Sequence, residues 1–272
     1  MSYMDINAIK AKLDALNSNG QEREKTDYSK IFWKPTVGKQ TLRIVPSLFD
    51  PAYPFKELKF HYGVGKYPMV ALSNFGKQDP IEEFVKELRK TSDKDNWSLS
   101  GKLNPKTRIF APVVVRGEEE KGVRLWGFGV TIYKALLALA EDEDIGDYTD
   151  VINGWDMVVE MREGNPYPET SVRIKPKQTA LSDNNEMVDL WLKTQPNPEE
   201  VHTQYDYEFI KKQLQNYLNP GSGDEPATSG PTPTTDTALP SSLGPQKTDF
   251  TLETAAAGNK DTVSKFDDLF NE

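Results

Sequence analysis

Lys106-Thr107-Arg108-Ile109-Phe110-Ala111-Pro112-Val113-Val114-Val115 is followed by the acidic stretch Arg116-Gly117-Glu118-Glu119-Glu120-Lys121 and then by Gly122-Val123-Arg124-Leu125-Trp126-Gly127-Phe128-Gly129-Val130. Two runs rich in β-branched and aromatic residues, separated by a short polar turn containing glycine, predict a β-hairpin. Its strands are expected over 108–115 and 122–130, and the fold is built outward from there.

Upstream, Thr41 to Pro46 predicts a strand that Pro46 stops, and Leu58 to Val64 predicts another, with Lys66 to Leu72 pairing to it across Gly63–Gly65. Asp79-Pro80-Ile81-Glu82 opens a helix: Asp79 as cap, Pro80 at the first helical position and Glu82 bonding back. Its apolar face is Ile81, Phe84, Val85 and Leu88. Residues 91–106 are polar and carry turn formers, so a loop is expected. Ile6, Ile9, Leu13 and Leu16 predict a helix near the start of the chain, ended by Asn19-Gly20. Downstream, a helix follows the hairpin with Thr131 as its cap and Ile132, Leu136 and Leu139 on one side. A second hairpin runs from Trp155–Met161 to Ser171–Lys175 around Gly164-Asn165-Pro166, and Glu186–Leu192 and Tyr205–Leu218 are helix candidates. Five or six strands with helices between them suit a small, partly open barrel with insertions and equally suit other α+β folds.

The 272 residues carry a net charge of −9, which is not the footprint expected of a nucleic-acid binder. The charge is uneven, however. Residues 220–272 hold three Lys and nine Asp/Glu, leaving the first 219 residues with 30 basic and 33 acidic side chains. The body is nearly balanced, which leaves room for a basic groove on one face. Residues 220–246 contain 19 Gly, Pro, Ser or Thr in 27 and no aromatic residue. Such a segment buries too little apolar area to offset chain entropy and is expected to be a disordered linker. Beyond it an acidic tail, 247–272, ends in Phe266-Asp267-Asp268-Leu269-Phe270, whose large apolar residues have the character of a tip that docks into a partner groove.

Several classes are excluded. Cysteine is absent, so no disulfide, thiolate nucleophile or Cys-ligated zinc forms. His61 and His202 are the only histidines, too few for most metal or triad chemistry. There is no phosphate-cradling loop, G-x-S-x-G or H-E-x-x-H. No run of 18 apolar residues would cross a membrane. Met1 to Asp5 lacks the basic and apolar regions of a signal peptide, and no enzyme activity or cofactor is expected.

What remains is a mixture of cations and aromatics on strands. Lys106, Arg108 and Phe110 share a face by alternation, as do Arg124, Trp126 and Phe128. Arg173 and Lys175 share a face with Lys177 just beyond, and Tyr167 sits in the connecting turn. Cations that follow phosphates and aromatic faces that stack unpaired bases, at about 1–3 kcal/mol per base, are what single-stranded nucleic acid requires. The competing reading is a solvated cationic face over an ordinary core.

The order of these pieces resembles the single-stranded DNA-binding proteins of T-even-type phages. Leu42-Arg43-Ile44-Val45-Pro46, then Pro54-Phe55 and His61, resemble the family's first strands. Phe75-Gly76-Lys77 before Pro80-Ile81 resembles its metal subdomain, and Phe110 to Val115, the acidic turn and Trp126 to Gly129 resemble its central barrel. Trp155-Asp156 through Tyr167 to Lys175 resembles the closing hairpin. The resemblance implies an OB-fold-like, five-stranded barrel at 21–219 with inserted helices and a small helical/β subdomain at about 60–105. It implies an N-terminal self-association arm at 1–20 and an acidic tail that recruits replication and recombination proteins and competes with DNA. Arg108, Phe110, Trp126 and Tyr167 fall where the family has cleft aromatics or cations. Two features depart from the pattern. The family usually holds zinc through one His and three Cys; here His61 is matched by Ala71, Asp79 and Glu82. The family's arm is basic, whereas Lys10 and Lys12 are the only cations before Arg23.

The expected function is therefore sequence-independent binding and protection of single-stranded DNA in phage replication, recombination and repair, in the cytoplasm of the infected bacterial host. The expected DNA contacts are Arg43, Lys106, Arg108, Phe110, Arg124, Trp126, Tyr167, Arg173 and Lys175, and the expected protein contacts are Phe266, Asp267, Asp268, Leu269 and Phe270. No metal site or membrane partner is expected, and self-association along DNA is. The alternative is a virion assembly or protein-interaction module that binds no nucleic acid.

Overall fold

The computed structural model describes residues 28–165, 167–219 and 260–270. The arm expected at 1–20, the helix expected at 6–16 and the linker at 220–246 lie outside the described residues. The elements run α1 Tyr28–Ile31, β1 Phe32–Trp33, β2 Gly38–Ile44, β3 Lys56–His61, β4 Met69–Val70, α2 Pro80–Arg89, α3 Lys94–Leu103, β5 Lys106–Val115, β6 Arg124–Phe128, α4 Val130–Glu141, β7 Gly154–Arg162, β8 Glu169–Thr179, α5 Asn185–Lys193, α6 Tyr207–Leu218 and α7 Lys260–Phe270.

β5 organises the sheet. Its run Ile109 to Val115 is apolar without alternation because both of its faces are covered. Ile109, Ala111 and Val113 join Leu42, Ile44, Trp126, Phe128, Met157 and Val159 under α4. On the other face Phe110 packs with Phe32, Leu58, Phe60 and Leu125, and Val114 packs with Val45, Leu181 and Trp191. One edge of β5 changes partner along its length. Residues 106–110 pair with β3 and residues 113–115 pair with β2. Pro112 sits at this junction. Its carbonyl accepts from Val45 N at 2.9 Å; the reciprocal bond is the one a proline cannot make, and it is missing where β5 passes from β2 to β3.

The strand order is β1-β6-β5-β2-β7-β8, with β3 attached to β5 and β4 to β3. Among the described residues only the β1–β6 pairing is parallel. The α+β class holds, and where a small, partly open five-stranded barrel was expected the structure has an open, mixed, eight-stranded sheet. Among the described residues no ladder joins β8 to β1. The two-residue strands β1 and β4 take up edges that a closing pair would need.

Both hairpins form where alternation predicts them, and α2 begins with Asp79 accepting from Ile81 N and Glu82 N and with Pro80 in its first turn. Three local expectations are corrected. Residues 94–103 form α3 rather than a loop; Asp93 caps it, and its inward face is Asn96, Ser100 and Leu103. Gly129 rather than Thr131 occupies the cap position of α4, so the helix starts two residues earlier. Glu82 does not bond back to its cap; its carboxylate accepts from Ser73 Oγ at 2.5 Å. α2, α6 and α7 enclose a second core of Ile81, Phe84, Leu88, Leu103, Ile210, Leu214 and Phe266 beside the sheet. No helix among the described residues is long and apolar enough to cross a membrane.

Candidate nucleic-acid interface

The register of the central hairpin puts the two sets that alternation defines on opposite faces of the sheet. Arg124, Trp126 and Phe128 lie opposite Val113, Ala111 and Ile109, so they share the face under α4. Lys106, Arg108 and Phe110 alternate onto the other face, opposite Phe60, Leu58 and Lys56. The two sets do not form one surface. Trp126 is 1 % exposed, with Trp33 edge-on at 5.6 Å and Phe128 at 4.6 Å between ring centroids. Phe110 is 3 % exposed and enclosed by Phe32, Phe60 and the His202 ring. Arg124 is buried, and its Nη2 donates to Glu118 Oε2 at 2.5 Å. That bond, with Lys121 nearby, holds the Glu118 carboxyl below the usual range. In this structure none of these three side chains offers a free face to a base or phosphate.

Arg43 is also taken up by the protein. It faces outward from β2, but the 148–156 segment and the end of β8 close over it, leaving it fully buried. Its Nε donates to Asp156 Oδ1 at 3.1 Å, Nη1 to the Asp150 carbonyl at 3.2 Å, and Nη2 to the Thr179 carbonyl and Oγ1 at 2.6 Å each. Arg116 adds a second cation, with Nη2 2.9 Å from Asp156 Oδ1 and Nη1 2.7 Å from the Leu181 carbonyl. One carboxylate and two guanidiniums thus tie together β2, β5, β7 and β8.

Five of the expected contacts remain accessible. Lys106 is exposed and Arg108 half-buried at the start of β5; Arg173 is exposed and Lys175 half-buried on β8; Tyr167 is half-buried in the β7–β8 turn. The β8 cations are extended by Lys177, by Lys39 on β2 and by Arg162 on β7. Glu160 lies among them, 4.0 Å from Lys39 and 2.9 Å from Arg162, whose guanidinium keeps its carboxyl below the usual range. Arg173 pairs with Val158, Val158 with Thr41, and Thr41 lies beside Arg116 at the far end of β5. Through the ladder, Arg108 and Arg173 are therefore about 25 Å apart along β5 and three strand spacings of about 4.8 Å across. They are two cationic stations, suited to separate phosphates of one strand rather than to the same one.

Two surfaces went unseen in the sequence. A cleft of about 340 Å³ opens beside the 45–55 loop, walled by Phe49, Tyr53, Lys56, Pro196 and Pro198, with Phe110 and Leu125 at its base. Phe49 is 50 % exposed, and the Tyr53 hydroxyl meets that of Tyr133. A smaller notch of about 320 Å³ between β3, β5 and α2 is lined by Lys59, Lys86, Arg89, Asn104 and Thr107, with Glu82 the one acid. Its cations come from a strand and a helix far apart in sequence, so no linear pattern announces them. Phe49 and Tyr53 sit in a loop between strands, where exposed aromatics are the readable signal. Trp97 is 56 % exposed on α3.

Beside the notch lie the positions where the resemblance implied zinc ligands. His61, Asp79 and Glu82 present donor atoms within 4.8 Å of one another; Ala71 has none. Asp79 is already saturated: Oδ1 accepts from Ile81 N and Glu82 N at 3.0 and 3.1 Å, and Oδ2 from Leu72 N at 2.8 Å and His61 Nε2 at 2.9 Å. Burial opposes the Asp79 charge, yet the His61 ring and these backbone donors outweigh it and leave the carboxyl below its ordinary range. With no thiolate in the chain, these residues do not fit a Cys-ligated zinc; they form a hydrogen-bonded hub in its place.

Comparison with known proteins bears on residues 36–216, which match a family model described as gp32 DNA binding protein like. No curated protein matches the chain. The matched segment runs from β2 through most of α6, and so contains both cationic stations, the cleft, the notch and the hub.

Proposed function

Because the chain belongs to the gp32 DNA-binding-protein-like family, we propose that it binds single-stranded DNA without sequence preference and coats it during phage replication, recombination and repair in the infected cell. The observation that carries this reading is the family match from β2 through most of α6, which takes in seven of the sheet's eight strands. The sheet is read as an opened OB-like arrangement in which β5 passes at Pro112 from one partner strand to another. Lys106 and Arg108 on one side, and Arg173 and Lys175 on the other, hold phosphates. Tyr167 and the loop aromatics Phe49 and Tyr53 are available for stacking on bases. The protein does no chemistry of its own in this reading. Arg43, Arg124, Phe110 and Trp126 shape the surface from beneath. The acidic tail recruits replication proteins and competes with DNA for the cations.

The test is titration with oligo-dT at low and high salt, followed by tryptophan fluorescence, which the exposed Trp97 makes informative. Quenching is expected, with log K falling against log salt by about 0.7 per phosphate contact. Saturable binding that ignores salt, or no binding at all, would sink the proposal.

A further inference from the structure

The acidic end of the chain is seated on the body. α7 lies against α2 and α6, and Phe266 is 1 % exposed, with the Phe84 ring at 6.0 Å. Phe270 packs on Phe266 at 4.8 Å and reaches Tyr207 at 6.4 Å. Lys211 on α6 secures the last turn: its Nζ donates to the Phe270 carbonyl at 3.0 Å and stands 5.2 Å from the ring centroid. A cation is favoured there because a helix ends in unpaired carbonyls carrying partial negative charge. Near the other end, Thr262 Oγ1 donates to Asn96 Oδ1 at 3.4 Å, and both residues are buried.

An aromatic plug, a cation on the helix end and a buried polar pair fix the seat independently. A loosely collapsed tail would not bury a hydroxyl beside an amide, since buried polar groups require partners. The seat also gives α3 a reason for its inward Asn96, which a helix facing only an apolar core would not carry.

We infer that the groove between α2, α3 and α6 is a receptor in cis for the chain's own tail. At rest it buries Phe266 and half-covers Leu269 and Phe270, the side chains a partner protein would read, and they are fully offered only when α7 leaves. The groove's occupant is the tail of the same chain. Forty-one residues, 219–259, separate α6 from α7. At about 3.3 Å per residue their extended reach is roughly 130 Å, so seating is set by the groove rather than by a short tether. Tail recruitment in the proposed function would use this release, but the groove pairing itself does not depend on DNA.

The experiment is fluorescence anisotropy with a labelled peptide of residues 258–272 and two full-length proteins, wild type and F266A/F270A, the second with its groove vacated. The peptide is expected to bind the variant. It should bind wild type roughly tenfold more weakly, because a tethered segment competes at an effective concentration on the order of 1 mM. Lys211→Glu added to the variant should weaken the peptide, and a peptide carrying both Phe→Ala changes should bind neither protein. Equal binding to the two proteins, or none to either, overturns the inference. Sedimentation separates cis from trans: a monomer is expected, whereas a wild-type dimer that F266A/F270A dissolves would place the tail in a neighbour's groove and overturn it. Oligo-dT titration of the same proteins keeps the readings apart. Peptide binding without DNA binding would sink the proposed function and leave the groove standing.

Discussion

Replacing Arg43 by Met separates a structural role from a DNA contact more sharply than any other change. Met keeps the apolar stem but removes every donor that the guanidinium directs at Asp156, at the Asp150 and Thr179 carbonyls and at the Thr179 hydroxyl. Asp156 stays paired through Arg116, so no buried charge is stranded. The Asp150 and Thr179 carbonyls lose a partner, at about 1–3 kcal/mol for each group left unsatisfied in the interior. Part of this is recovered because the guanidinium no longer has to be desolvated. The expected net loss is about 2–4 kcal/mol, which for a body of this size lowers Tm by roughly 5–15 °C at about 2–4 °C per kcal/mol. Below the new transition, the salt slope of oligo-dT binding should equal that of wild type. Thermal melting by circular dichroism and the titration, run on one preparation, measure both quantities. An unchanged Tm with a slope reduced by about 0.7 would show Arg43 holding a phosphate and refute the reasoning.

The cationic station on β8 should behave in the opposite way: R173A/K175A leaves Tm within about 1 °C and reduces the salt slope by about 1.4, and a large loss of Tm with an unchanged slope would contradict it. His202, enclosed by Phe32, Phe60 and Phe110, has its pKa pushed down to about 4 by burial. The unfolded chain takes up this proton first, so the contribution is intact above about pH 6.5 and is lost as pH falls toward 4, by up to about 3 kcal/mol. His202→Phe should flatten urea-measured stability across that window, and an unaltered pH profile would refute the assignment. Deleting residues 247–272 removes six acids and three lysines and should tighten oligo-dT binding, most at low salt; unchanged or weaker affinity would count against competition by the tail. Treatment with EDTA should leave Tm unchanged, because Asp79 is saturated by protein donors; a drop that zinc restores would require ligands the hub does not supply.

The elements were largely legible because their signals are local. Asp79-Pro80 marks the start of α2, and the β-branched runs flanking the acidic turn mark β5 and β6. α3 escaped notice because its buried face is Asn96, Ser100 and Leu103, which carries little apolar periodicity. The site was less legible, because period-two alternation says which residues of one strand share a face but not which face of the next strand they join. The pairing of Ala111 with Trp126 settles that, and it is a property of two strands together. Arg43 looks outward on β2 by alternation; only the later segment around Asp150 and Asp156, more than 100 residues away, encloses it. The Lys59, Lys86 and Arg89 notch is invisible for the same reason of distance along the chain.

The hub of His61, Asp79 and the turn at Leu72 has a bearing on how the helical annex is made. A metal-held subdomain waits on an encounter with an ion, so its assembly depends on supply and on deprotonated ligands. Here every partner lies between residues 61 and 82, and the longest contact, His61 to Asp79, closes a loop of 18 residues. Loops of about that length close in well under a microsecond. The hub can therefore form as this stretch of chain emerges, without waiting for zinc, and it holds the start of α2 in place before α6 and α7 arrive to complete the core around Phe84.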